Sequence, residues 1–358
     1  MDHEFHQLRV AEVKRETPDS VSVRLEVPEP LRGTFAFKAG QHLTFRREIG
    51  GEEVRRNYSV CVAPSEGLLK IGVKRIAGGA FSGWVNEALK AGDTLDVMAP
   101  HGSFCWNFEA QARRHYVAFA GGSGITPILS LMKTALAVES QSQFTLFYGN
   151  RTSAGVMFLE EIAGLKDRYI DRLGVFHFLE DEEEEIQVFN GRLDRAKIDV
   201  LLSSLVDPAH VDAFFICGPG PMMDAAEEAL QARNVEPSRI LVERFTTGPL
   251  SAAQAAAARA LEEKAAGLKM SITLNGRRMN VTFDPANRSI LDNVRAAGMP
   301  APFACKGGVC ATCRAKVTAG EVSMKVNYGL TAQELAEGYV LTCQATPVSE
   351  GVSLTYDV

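Results

Sequence analysis

Four cysteines near the C-terminal end constrain this chain more than any other feature. Cys305, Cys310 and Cys313 stand in F-A-C-K-G-G-V-C-A-T-C-R and Cys343 in L-T-C-Q-A, which gives C-x4-C-x2-C-x29-C. Three thiols so close together need a loop that bends round a common centre. A fourth from a distant segment needs a fold that brings the chain back to it. The spacing is that of a plant-type [2Fe-2S] cluster, in which four thiolates hold two irons. Gly307 and Gly308 permit the bend, and small Ala311 and Thr312 let the backbone pass close. A structural zinc site more often uses two short C-x-x-C pairs, whereas a single such pair occurs here. A disulfide framework suits small secreted chains, and 358 residues build a core without staples. Such a cluster moves one electron at a time, so the rest of the chain must account for the supply.

Composition narrows the setting. A net charge of −6 argues against nucleic acid as a partner. No apolar run approaches a membrane span, and the start M-D-H-E-F-H-Q-L-R-V lacks the order of a secretory signal. A cytoplasmic chain with no membrane partner is expected. The remaining Cys61, Cys105 and Cys217 then read as reduced thiols.

The hydrophobic rhythm changes along the chain. Residues 1–108 read as short strands, with Val21, Val23, Leu25 and Val27 alternating and Gly and Pro between runs. Strands are expected at 41–45, 57–62, 69–73 and 94–98 and one helix at 81–89, the pattern of an antiparallel β-barrel. Residues 109–245 alternate strand-like runs (116–120, 144–148, 175–179, 213–217, 239–243) with helical ones (127–138, 157–166, 221–232), which predicts a parallel α/β sheet. The acidic run Glu180–Glu185 reads as a solvated loop. Residues 246–268, Ala-rich and poor in apolar bulk, read as a linker that is either a frayed helix or a spacer. Residues 269–358 form a small α+β domain, β-grasp-like, that carries the cysteines.

Two constellations offer a source of electrons. In the barrel segment, Arg56, Tyr58 and Ser59 stand in R-N-Y-S. A guanidinium fork suits a pyrophosphate, a tyrosine offers a flat face to a flavin ring, and a serine hydroxyl can bond a ring nitrogen. Val73 and Lys74 then lead through Gly78 and Gly79 to Phe81 and Ser82, a strand, a glycine turn and a helix start. Helix N-termini bind anions, so the two pieces together point to a flavin phosphate. No residue here singles out an adenine, which leaves FMN beside FAD.

In the α/β segment, G-G-S-G-I-T-P follows a strand and opens a helix, and its glycines, Gly122 and Gly124 among them, let the backbone approach a nicotinamide pyrophosphate. Pro127 stands where G-x-G-x-x-G has its third glycine. The next strand ends in Y-G-N-R-T, and Arg151 and Thr152 favour the 2′-phosphate of NADPH over NADH. Cys217, in C-G-P-G-P-M-M, marks another sharp corner at the ligand-binding edge of such a sheet. Glu243 and Phe245, in E-R-F, can bring an acid and a ring toward the flavin.

These segments resemble the ferredoxin–NADP reductase superfamily. With the C-terminal C-x4-C-x2-C…C domain, the chain is similar to oxygenase reductases that carry a fused ferredoxin. The resemblance implies FAD on the barrel, with Arg56, Tyr58 and Ser59 at the flavin and Cys217 near the nicotinamide. It implies Gly79, Phe81 and Ser82 at the FAD pyrophosphate, and Gly122, Gly124, Thr126, Arg151 and Arg192 at NADPH. It also implies a separate di-iron oxygenase as electron acceptor. A ring-hydroxylating oxygenase, or a non-catalytic electron carrier or redox sensor, are the readings set against it.

Overall fold

A computed structural model describes residues 4–183, 185–245 and 250–357. The chain divides into two compact units, Asp2–Glu243 and Arg244–Val358.

The first unit opens with strands β1 (Phe5–Thr17), β2 (Ser20–Glu26), β3 (His42–Ile49), β4 (Glu52–Ser59) and β5 (Leu69–Lys74), helix α1 (Ala80–Glu87) and strand β6 (Thr94–His101). Their order is β4-β3-β6-β1-β2-β5, with antiparallel neighbours throughout. Val60, just past β4, bridges Ile71 of β5, so the two edges meet and the sheet curls into a barrel. Val21, Val23 and Leu25 pack inside with Leu8, Phe45, Ile71 and Phe81. Strand β4 begins five residues before the stretch expected from its apolar residues. E-E-V-R-R carries no apolar alternation, but Gly50 and Gly51, at φ of 64° and 82°, make the tight turn that pairs it with β3.

The same unit continues as β7 (His115–Gly121), α2 (Ile125–Val138), β8 (Gln143–Asn150), α3 (Leu159–Arg168), β9 (Leu173–Leu179), α4 (Arg195–Ser204), β10 (Ala213–Cys217), α5 (Gly220–Gln231) and β11 (Ile240–Glu243). The strands are parallel in the order β11-β10-β7-β8-β9. Helices α2 and α3 cover one face, and α4 and α5 the other. Both faces are therefore buried, which explains runs as apolar as A-F-F-I-C. Helix α4 has no counterpart among the helices expected from periodicity. Its start is marked by Asp194, whose carboxylate accepts the Lys197 N–H at 2.9 Å.

The second unit holds α6 (Ala252–Lys264), β12 (Lys269–Leu274), β13 (Arg277–Thr282), α7 (Ile290–Ala296), β14 (Arg314–Ala319), β15 (Val322–Met324), α8 (Ala332–Ala336), β16 (Tyr339–Leu341), β17 (Ala345–Pro347) and β18 (Val352–Thr355). A mixed sheet β13-β12-β18-β14-β16 packs Met270, Ile272 and Leu354 against Ile290, Leu291 and Val294 of α7. The expected linker is partly absorbed here. Ser251 and Gln254 cap α6 reciprocally, Glu262 pairs with Lys325, and Ala265 enters the core. The linker's opening residues Thr246–Pro249 lie outside the described residues. Among the described residues, no helix is long and apolar enough to cross a membrane.

Candidate functional site: two nucleotide corners and a thiol loop

The barrel presents the end of β4 next to β3. His42 is the register partner of Ser59, Leu43 of Tyr58 and Phe45 of Arg56. Tyr58 is backed by Phe45 and Phe81, ring centroids 5.9 and 5.7 Å away. Burial raises its phenol, against the opposing pull of Arg56, so it stays protonated. The Ser59 hydroxyl and the His42 Nε2 are both buried with no hydrogen-bond partner among the described residues. An unpaired buried polar atom costs about 1–3 kcal/mol. Two on neighbouring register positions mark a place where a polar ligand belongs. Arg56 is exposed and donates to the Arg55 carbonyl at 2.7 Å, free to turn toward an anion.

The glycine turn before α1 is shaped for close approach. Gly78 sits at φ 72°, and a Cβ on Gly79 would lie 2.6 Å from the Ser82 hydroxyl. Gly79 caps α1 without a side-chain acceptor, leaving first-turn N–H groups for an anion. Four of the expected side chains have partners within the protein. The Ser82 hydroxyl accepts the Ile76 N–H at 3.1 Å and so belongs to the turn itself. The side chains of Phe81 and Val73 are in the barrel core, so only their backbone can meet a phosphate. Lys74 reaches Asp19, at 3.6 Å.

The second corner lies where β7 and β10 run side by side and the sheet order reverses, the usual ligand crevice of such sheets. A Cβ on Gly124 would fall 2.0 Å from the Cys217 carbonyl oxygen, and one on Gly121 would fall 2.4 Å from Pro219. The two glycine corners therefore interlock. Gly122, at φ 51°, has nothing within 4 Å of its Cβ position and opens toward solvent. Tyr148, unflagged in the sequence, donates from its hydroxyl to the Gly122 carbonyl at 3.0 Å and holds the loop from β8. Thr126 donates to the Ser123 carbonyl at 2.9 Å, so it braces the loop and does not point out of it.

At the outer side of this corner, Arg151 pairs with Asp181 at 2.8 Å and Arg192 with Glu180 at 2.8 Å. Thr152 precedes a turn in which Ser153 N–H donates to Glu182 at 2.9 Å. The acidic run is mostly exposed, in keeping with a solvated loop, and makes contacts of its own. Its first three residues hold both arginines expected at the 2′-phosphate and the turn between them. Both guanidinium side chains remain 80% exposed and free to exchange partners.

The corners meet the barrel through Glu243. It is the register partner of Cys217, and its carboxylate lies 3.7 Å from His42 Nδ1. His42 in turn stacks edge-on against His101 at 4.3 Å. Burial, then Glu243, raises the Cys217 thiol well above its ordinary value. Burial, then His101, lowers His42 well below its own. A neutral imidazole and a protonated thiol thus flank the acid. Ser59, Cys217 and Glu243 are brought into one neighbourhood, with His42 as the link that motif reading missed. Phe245, the last residue of the expected set, lies in the second unit and is partly exposed.

In the second unit the cysteine loop bends at Lys306, Gly308 and Ala311, with φ of 52°, 76° and 54°. Gly307 is not a left-handed bend. Two non-glycine residues in that region store strain of about 1 kcal/mol or more each, a pattern of functional loops. Among the described residues, no three His, Cys, Asp or Glu side chains converge on a single metal ion. The thiols approach instead in two pairs, Cys305 with Cys310 and Cys313 with Cys343. Within each pair one thiol is held low, Cys305 by its bond from Cys310 and Cys343 by its bond from Cys313. Two pairs suit a centre of two irons, each with two thiolates.

Comparison with known proteins finds a domain family for each of the three segments. Residues 7–106 match the oxidoreductase FAD-binding domain, 119–228 the oxidoreductase NAD-binding domain, and 272–348 the 2Fe-2S iron-sulfur cluster binding domain. The chain is 42% identical over 353 residues to a component of the 1,2-phenylacetyl-CoA epoxidase of Escherichia coli, covering 99% of this chain and 98% of that one. The chain belongs to the family of oxygenase reductases that join these three domains. It is 36% identical to the ferredoxin reductase component of 3-ketosteroid-9-alpha-monooxygenase of Mycobacterium tuberculosis, over 98% of this chain and 96% of that one. In fold it matches phthalate dioxygenase reductase, with a TM-score of 0.59 at 23% identity and 98% of each chain covered. It is an oxidoreductase with FAD-binding, NAD-binding and 2Fe-2S domains, the reductase component of an oxygenase system.

Proposed function

We propose that this reductase takes electrons from NADPH and delivers them to a di-iron oxygenase that epoxidises phenylacetyl-CoA. When bound, the FAD accepts a hydride and the cluster passes its two electrons on singly. The protein's own groups orient and insulate. Tyr58 would back the flavin ring, Ser59 and His42 would satisfy its polar edge, and Arg56 with the α1 N-terminus would hold its pyrophosphate. Gly122 and Gly124 would admit the nicotinamide nucleotide, with Arg151 and Arg192 on the 2′-phosphate. Glu243 and Cys217 would border the nicotinamide. Cys305, Cys310, Cys313 and Cys343 would be the cluster ligands.

The observation that carries the reading is the meeting of two unsatisfied buried groups, Ser59 and His42, with the interlocked Gly124–Cys217 corner through Glu243. A hydride donor and acceptor need that kind of adjacency. The acceptor is argued from the end-to-end likeness to the Escherichia coli epoxidase component. The test is reconstitution with purified oxygenase proteins. NADPH-dependent product with a phenylacetyl-CoA epoxidase core, and none with a steroid or ring-hydroxylating oxygenase, is the expected result. Turnover with a ring-hydroxylating partner alone would reassign the acceptor.

A further inference from the structure

Helix α2 begins at the corner assigned to the nicotinamide nucleotide, yet its body is fastened to the barrel. Ser130, fully buried, donates to the Val62 carbonyl at 2.6 Å. Lys133, 8% exposed, donates to both Glu66 oxygens at 3.0 and 3.2 Å and pairs with Glu161 of α3. Glu161 also receives Lys70 of β5, at 3.1 Å. Burial works against the Glu161 carboxylate, but Lys133 and Lys70 outweigh it and hold its pKa low.

The attachment points are not scattered. Val62 and Glu66 lie on the run that leaves Arg56–Ser59, and Lys70 lies on the strand that leads to Gly78. Farther up the helix, a Cβ on Gly72 of that strand would come within 2.7 Å of Thr126 Cγ2. Ala39, Cys61 and Phe104 share one apolar cluster with Ile128, Leu129 and Met132. Apolar packing alone would hold the helix here. A buried ammonium is costly by comparison, and a hydrophobic replacement is often neutral or better. What the directional bonds add is a fixed rotation and translation of α2 along the barrel. A groove of about 380 Å³, lined by Glu66, Lys133, Glu161 and Arg168, runs beside them, so packing on that side is incomplete.

We infer that Ser130 and Lys133 are positioning residues that set the register of the nicotinamide corner against the flavin-bearing strands. They govern the rate of hydride transfer without touching either cofactor. The inference rests on the cofactor assignments proposed above.

The test uses the full-length holoprotein with Ser130→Ala and Lys133→Met, singly and together, each checked for flavin content and thermal unfolding. Flavin reduction is followed by stopped flow at saturating NADPH. In parallel, the flavin is reduced photochemically without nucleotide and electron arrival at the cluster is recorded. The double variant is expected to lose roughly tenfold or more in the saturating reduction rate, because small misplacements of reacting groups are that expensive. Its NADPH dissociation constant should change little and its light-driven flavin-to-cluster transfer not at all, and Lys133→Arg should restore most of the rate. An undiminished rate in a flavin-replete variant, or a loss confined to NADPH affinity, would overturn the proposal. Should the double variant not fold, Ser130→Ala removes one oxygen and carries the same test at lower amplitude. Failure of NADPH to reduce the flavin of the unaltered protein would instead defeat the cofactor assignments beneath it, and the proposal with them.

Discussion

Arg151 illustrates how a residue's type is legible in the sequence while its neighbours are not. Its place after β8 points to a 2′-phosphate. Nothing in the local sequence says which segment runs beside it, yet Glu180 and Asp181 donate their N–H groups to the Asn150 and Arg151 carbonyls at 3.0 and 2.9 Å. That extension of the β8–β9 pairing is a long-range event, invisible to charge patterning. Its consequence is competition, because Asp181 occupies the guanidinium that a 2′-phosphate would need. Charge-assisted bonds are worth about 1.5–3 kcal/mol, so Arg151→Ala should raise KM for NADPH roughly tenfold and leave NADH little changed. Asp181→Asn should move the NADPH value the other way. Steady-state kinetics with both nucleotides decides. His42 escapes motif reading for a related reason: a lone histidine in G-Q-H-L carries no motif, and its partners Ser59, His101 and Glu243 come from other strands. His42 and His101 are both held below their ordinary pKa by burial. The unfolded chain therefore takes up protons at a higher pH than the fold does, so stability is full above about pH 6.5 and falls as pH drops below it. His42→Gln should flatten that decline in a plot of Tm against pH, and an unchanged slope would remove His42 as a contributor.

Elements with a strong period are legible nearly in place. The parallel strands and α2 fall within a few residues of expectation because both sheet faces are buried and successive residues of A-F-F-I-C answer in turn to the core on one face and the core on the other. Strand β4 and helix α4 are not: the signal of β4 is a glycine turn, and that of α4 an aspartate cap before the short apolar group Ile198, Leu201 and Leu202. The glycine corners read correctly as turns, but the reason for glycine at 124 is tertiary, the carbonyl of another strand. Gly124→Ala places a methyl 2.0 Å from the Cys217 oxygen. Overpacking of that kind costs about 1–3 kcal/mol, and here it must also spread β7 from β10. NADPH-driven flavin reduction should collapse while flavin content persists. Gly164, inside α3 with nothing within 4 Å of its Cβ position, is the control. Gly164→Ala should raise stability by about 0.5–1 kcal/mol through the unfolded chain and leave flavin reduction intact. Thermal unfolding and stopped flow on the two variants separate close contact from helix propensity.

At the scale of the whole molecule, two-electron chemistry belongs to the first compact unit and one-electron chemistry to the second, and the cysteine spacing carries the second half alone. What spacing cannot show is how the thiols divide. Cys305 is hydrogen-bonded to Cys310 and Cys313 to Cys343, so one pair would serve each iron, and losing any one thiol should cost the centre and spare the flavin. Cys310 is the most informative choice, because its sulfur also lies 3.2 Å from the Thr312 hydroxyl and is well buried. Cys310→Ser is expected to lose the visible absorption of the cluster and its reduced-state EPR signal. The flavin, in the other unit, should still be reduced by NADPH, and transfer to ferricyanide, a small acceptor that can take electrons at the flavin, should stay within about twofold of the unaltered protein. Delivery to the oxygenase should vanish. Oxygenase turnover that survived the loss of the cluster would mean the flavin feeds the partner directly, and the division of labour between the two units would have to be redrawn.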